Sequence, residues 1–144
     1  MDKIEQVAPL TITFPLPPDE LKVNRRMGQH WGIQHRLKDD YRMICRLLAR
    51  QQCQDSLKVC RMTATVYLGH RQRCDPSDLG SWCKVPIDAL VAEGILLTDS
   101  SACIRSFTAF VERDAENPRL EIKIWRPADL ESGATEKALR SKRS

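Results

Sequence analysis

The stretch Val59-Cys60-Arg61-Met62-Thr63-Ala64-Thr65-Val66-Tyr67-Leu68 alternates its side chains, is rich in β-branched residues and is ended by Gly69-His70. That pattern reads as a strand. Downstream, Leu79, Trp82, Cys83, Ile87, Leu90 and Val91 recur at helical spacing, and Gly94 is placed to take the left-handed conformation that closes a helix. Pro86 inside this helix removes one backbone hydrogen bond, so either a bend there is expected or a helix whose regular part starts near it. Ile104 to Glu112 and Leu120 to Arg126 follow as two further strands, joined through Asp114 and Asn117-Pro118. Upstream, Gln34 to Gln52 sets Leu37, Tyr41, Ile44, Cys45 and Leu48 on one helical face and Lys38, Arg42, Arg46 and Arg50 on another. Before it, Leu10-Thr11-Ile12-Thr13-Phe14 alternates and is halted by Pro15, Pro17 and Pro18, as a first strand running into a rigid loop. The order strand, helix, strand, helix, strand, strand predicts an α+β fold with one mixed sheet packed by two helices. A chain of 144 residues fits one domain, placed at residues 1–127. From Ala128 the residues are small and charged without an apolar period, which predicts a disordered tail over 128–144. Trp82 and Trp125 are read as core.

The net charge of +4 is unevenly spread: between Lys22 and Arg50 eight Lys and Arg residues face only Asp39 and Asp40. Such a segment suits a polyanion held through counterion release; it also suits a merely solvated face. Asn24, Arg25, Arg26, Arg42 and Arg73 are candidate phosphate contacts, and His30 and Trp31 could stack on bases or sugars. For Trp31 the alternative is a loop anchor buried on the first helix. The six cysteines have irregular spacing and no C-x-x-C pair, which argues against a zinc site. No basic-then-apolar leader opens the chain, and no apolar run approaches the ~18 residues of a membrane span. The expected setting is therefore cytoplasmic and reducing, with the cysteines kept as thiols.

Arg71-Gln72-Arg73-Cys74-Asp75-Pro76-Ser77-Asp78-Leu79, continued by Lys84 and by Leu97-Thr98-Asp99-Ser100, concentrates carboxylates among cations. Phosphodiester hydrolysis needs charge neutralised on the phosphate and a water activated, and aspartates hold the Mg²⁺ that does both. A neighbouring Lys stabilises the developing charge. The competing reading of Asp-Pro-Ser-Asp is a turn and helix N-cap, whose oxygens accept hydrogen bonds from unpaired backbone N–H groups.

These residues resemble the signature of the RusA family of Holliday-junction resolvases, in which a basic stretch leads into D-P-D-N-L or D-L-D-N-L, then a Lys, a D-A-L-x-x-x-G helix and a D-D pair. Arg71 and Arg73 precede Asp75-Pro76-Ser77-Asp78-Leu79, Lys84 follows, Asp88-Ala89-Leu90 leads to Gly94, and Thr98-Asp99 ends the run. At the amino end, Pro15-Leu16-Pro17-Pro18, Asn24-Arg25-Arg26 and His30-Trp31 are similar to the family's P-x-P-P loop and N-R segment. The resemblance spans Leu10 to Arg126. It implies a homodimer that resolves four-way DNA junctions by paired symmetric nicks in recombination or repair. It also implies Mg²⁺ held by three aspartates, matched here by Asp75 and Asp99 with Asp78 read as the third ligand, and Lys84 as electrostatic catalyst.

The sequence departs from the pattern at Ser77, which stands in the register of the second aspartate, while Asp78 stands where the family has Asn. Either Asp78 takes the ligand role, or the protein binds junctions without cutting. A nuclease of flaps or other branches is a further alternative. A straight helix over 79–93 would separate its ends by about 20 Å at 1.5 Å per residue, so Asp75 and Asp99 share an ion only if the chain folds back, the helix bends, or a partner subunit supplies one of them.

Overall fold

The fold is that of a computed structural model, which describes residues 9–18 and 31–126, with the side chains of 31–34 left aside. The expectations placed on Asn24, Arg25, Arg26 and His30, on the side chain of Trp31, and on the tail from Ala128 lie outside the described residues.

The element order is β1 (Leu10–Phe14), α1 (Trp31–Gln52), β2 (Cys60–Leu68), α2 (Leu79–Ala92), β3 (Ile104–Arg113) and β4 (Arg119–Trp125), with a 3₁₀ turn over Pro76–Asp78 leading into α2. The order is the predicted one, and α1 begins three residues earlier than its apolar period suggested. The four strands form one mixed sheet in the order β1-β4-β2-β3. β4 is antiparallel to both β1 and β2, whereas β2 and β3 are parallel and are joined through α2. Among the described residues the fold is thus α+β, with two helices on one sheet.

Alternation decides which face is covered. Met62, Ala64, Val66 and Leu68 of β2, Leu120, Ile122 and Ile124 of β4, and Ile12 and Phe14 of β1 are buried. They share one core cluster with Tyr41, Cys45 and Ala49 of α1 and with Trp82, Cys83, Ala89 and Leu90 of α2. Both helices therefore lie on the same face of the sheet. This corrects two expectations. Ile44 is 45% exposed, because the buried stripe of α1 runs Tyr41, Cys45, Ala49 rather than through Ile44. Trp125 is 39% exposed, because the odd positions of β4 point away from the helices.

β1 is a short edge strand, and its outer side is closed by a side chain. Gln52 accepts a hydrogen bond from Thr13 N–H at 2.8 Å and donates one to Thr13 C=O at 2.8 Å, occupying a site that a fifth strand would use. Tyr41 donates to Pro15 C=O at 2.7 Å and ties α1 to the segment after β1.

α2 continues through Pro86, which is buried. Its end is a Schellman turn: Ile95 N–H donates to Leu90 C=O at 2.9 Å, Gly94 N–H to Val91 C=O at 3.0 Å, and Gly94 adopts φ +79°. The turn reverses the chain, and Leu57 then clamps it by donating to Ile95 C=O at 2.7 Å and accepting from Leu97 N–H at 3.3 Å.

Candidate functional site

That reversal brings Asp99 back along α2. Its Oδ2 lies 3.7 Å from Lys84 Nζ, and Asp88 Oδ1 lies 3.2 Å from the same ammonium. The helix-length problem is solved for this pair by the fold-back after Gly94, within a single chain. Asp99 sits in a compact turn: Ser100 N–H donates to Thr98 Oγ1 at 3.3 Å, Ala102 N–H to Ser100 Oγ at 3.3 Å, and Cys103 N–H to Ser100 C=O at 3.0 Å. Thr98 thus serves the turn that presents Asp99.

Gly80, Lys84 and Ile87 form one stripe of α2, and with Asp99, Ile104 and Phe107 they line an open cleft of about 340 Å³ at the β3 edge. Gly80 leaves the first turn of α2 low, since a side chain there would meet nothing within 4 Å and would simply fill the space. Lys84 is 63% exposed along its side chain. The Asp88 carboxylate first, and Asp99 second, raise its pKa above the ordinary 10.5, so it is a cation throughout the neutral range.

The Asp-Pro-Ser-Asp segment immediately precedes α2 in the chain. Asp78 occupies the N-cap position of α2, and Asp75 that of the 3₁₀ turn, yet neither carboxylate makes a capping hydrogen bond. The turn is closed by backbone instead, Asp78 N–H donating to Asp75 C=O at 2.8 Å. The capping explanation of these aspartates therefore finds no hydrogen bond to rest on. Ahead of them, the loop bearing Arg71 and Arg73 turns at Arg71, with φ +67°. Arg113, at the end of β3, pins this loop by donating to Gly69 C=O at 2.7 Å and Gln72 C=O at 3.3 Å. Arg73 remains exposed.

Among the described residues no three His, Cys, Asp or Glu side chains converge to hold a metal ion. Asp75, Asp78 and Asp99 do not meet at one point in a single chain, and the Asp99 carboxylate faces an ammonium. As arranged, these residues do not fit a shared Mg²⁺. The acidic neighbour that the sequence reading passed over is Asp88, whose i,i+4 spacing from Lys84 is the signal that would have found it.

The basic stripe of α1 is partly spent on structure. Arg42 pairs with Asp39 at 2.9 Å, and lines a different groove from the one around Lys84. Arg46 and Arg50 both bind Glu93 at the end of α2, at 2.7 and 2.8 Å. The Glu93 side chain is only 8% exposed, so this pair of arginines docks α2 on α1. The hydrogen bond from Arg50 first, and that from Arg46 second, hold the Glu93 carboxyl below its ordinary 4.5. A depressed carboxyl pKa contributes stability above the unfolded value and loses it as pH falls through the folded one. Thermal melts should accordingly show the wild type losing stability below about pH 4.5, and Glu93→Gln lacking that part of the acid dependence while starting less stable at pH 7.

None of the six cysteines is in a disulfide. Burial pushes the thiols of Cys45, Cys60 and Cys83 up to about 12, which keeps them protonated and poor nucleophiles. Among the described residues no helix is long and apolar enough to cross a membrane.

No model of a known protein family matches the chain, and no curated protein matches it.

Proposed function

We propose that this chain is a structure-selective endonuclease of the RusA kind that resolves four-way DNA junctions by paired nicks, acting in the cytoplasm as a homodimer. The observation that carries the reading is the meeting of Lys84 and Asp99 from separate segments on an open cleft. Ahead of α2 come two aspartates, Asp75 and Asp78, whose carboxylates are not used for capping. A protonated lysine held by two exchangeable carboxylates can release one of them to a phosphate oxygen. Arg73 stands ahead of the motif as a phosphate contact, and Asn24, Arg25, Arg26 and His30 belong to the same reading through the sequence alone. The Mg²⁺ dependence that the resemblance implies is left to the cleavage assay, because Asp75, Asp78 and Asp99 do not converge on one ion within a single chain. Two equivalent strands at a symmetric junction call for two equivalent sites, which supports a two-fold dimer.

A second reading is a junction-binding protein without cleavage, favoured by Ser77 and by the separation of the carboxylates. One assay separates them: cutting of a synthetic four-way junction with and without Mg²⁺ by the wild type, Asp75→Asn and Asp78→Asn, beside a gel shift. Paired nicks by the wild type, with binding but no cutting by both variants, are the expected outcome. Binding without cutting by the wild type at every Mg²⁺ concentration leaves the second reading.

A further inference from the structure

The face of the sheet opposite the helices has a chemistry of its own. No described helix or strand covers it, and its side chains fall into rows across the strands. Ser106, Arg61 and Trp125 form one row, and Thr108, Thr63, Lys123 and Thr11 the next. These two rows hold two cations, four hydroxyls and an exposed indole, with no carboxylate. Arg61 and Lys123 are exposed, and among the described residues neither makes an ion pair.

The remaining rows differ. Arg119 stacks on Tyr67 at 3.9 Å and pairs with Asp114 at 2.8 Å and Glu121 at 2.7 Å, so that its charge is spent locally. Phe110, 48% exposed, stands in the row next to Lys123 and gives the patch a second aromatic surface. Diagonal neighbours on a sheet lie about 7–8 Å apart, which brings Arg61 and Lys123 within reach of neighbouring phosphates of one strand.

Position adds to composition. Ile104 and Phe107 of β3 line the Lys84 cleft, while Ser106 and Thr108, on either side of Phe107, point to the opposite face. Cleft and patch therefore share the amino-terminal half of β3, whose outer edge pairs with no strand among the described residues.

We infer that this patch binds single-stranded DNA, with Trp125 and Phe110 stacking on bases and with Arg61, Lys123 and the hydroxyls holding the phosphates. Resting on the nuclease reading, it holds bases that come unpaired at the branch point, on a strand that passes round the β3 edge from the cleft. Uncompensated positive charge beside exposed aromatics is complementary to a flexible polyanion whose bases are unstacked, and a duplex does not present its base faces in this way.

The test is fluorescence anisotropy of a labelled oligothymidylate with the full chain, titrated at several salt concentrations. The double variant Arg61→Ala/Lys123→Ala should bind at least about tenfold more weakly, and its log–log salt slope should be shallower by about 1.4, two contacts at about 0.7 each. Trp125→Ala should weaken binding about tenfold with an unchanged slope. Wild-type affinity and slope in the double variant, or no oligothymidylate binding by the wild type, would overturn the inference. So would a change in sedimentation from dimer to monomer without a change in affinity, which would make the face a contact between copies. Failure here is distinguishable from failure of the nuclease reading: a wild type that cuts junctions while the double variant keeps its oligothymidylate affinity loses only the patch. A wild type that cuts nothing while the variant loses affinity keeps the patch and loses the nuclease.

Discussion

Lys84→Ala should lower junction cleavage by about 10²–10³-fold while junction binding changes by no more than a few fold. The lysine is on the wall of a cleft, its ammonium is held between Asp88 and Asp99, and among the described residues no other cation lines that cleft. A group that meets charge developing in the transition state contributes far more to rate than to ground-state affinity, which many other phosphate contacts share. Asp88→Asn supplies the contrast. It removes the largest cause of the raised Lys84 pKa and lets that value fall toward 10.5, still above any neutral assay. Cleavage near pH 7–8 should change little, while its alkaline limit moves to lower pH. Single-turnover cleavage by both variants across a pH series checks both statements. Wild-type rates from Lys84→Ala would remove the lysine from the mechanism.

Six elements and their order were legible because apolar residues recur at two-residue spacing in the strands and at helical spacing in the helices. What alternation encodes locally, it encodes well: the strict burial of Met62, Ala64, Val66 and Leu68 follows from parity alone. The same parity was available for Trp125, since Leu120, Ile122 and Ile124 fix the buried set of β4. Reading the indole as core gave size priority over position. In α1 the ambiguity is physical: Met43, Ile44 and Leu47 are as apolar as the buried stripe, and Ala49, fully buried, contributes little signal. Strand order and long-range pairs are not periodic, and neither the β4 position between β1 and β2 nor the Arg46 and Arg50 grip on Glu93 had a local mark. The site shows the same division. Gly94 was readable as a helix end, whereas the i,i+4 spacing of Lys84 and Asp88 carried a signal from which no pairing was drawn. The return of Asp99 to Lys84 depends on the bridge between Leu57 and the segment after Gly94, which joins residues about forty apart.

Trp82→Ala should be the costliest single change for stability. The indole is 4% exposed and lies in the core cluster on the buried side of α2, with Cys83, Pro86, Ala89 and Leu90. Truncating a buried aromatic costs about 3–5 kcal/mol, the lost transfer energy plus the cavity left behind. In a domain of this size that corresponds to a fall in melting temperature of roughly 10–20 °C. The consequence reaches the site, because Gly80, Lys84 and Ile87 occupy the other side of the same helix and are held in place only as firmly as α2 is packed. Trp82→Phe should recover most of the stability. Lys84→Ala, by contrast, removes an exposed side chain from partners that are themselves hydrated, and surface changes of this kind stay within about 0.5 kcal/mol. Denaturant unfolding of the three variants separates the two roles: a large loss for Trp82→Ala beside none for Lys84→Ala means that α2 is anchored from its buried face and leaves its exposed face available for chemistry. Equal losses would mean that the Lys84 ion pairs hold the helix, and that their carboxylates are structural.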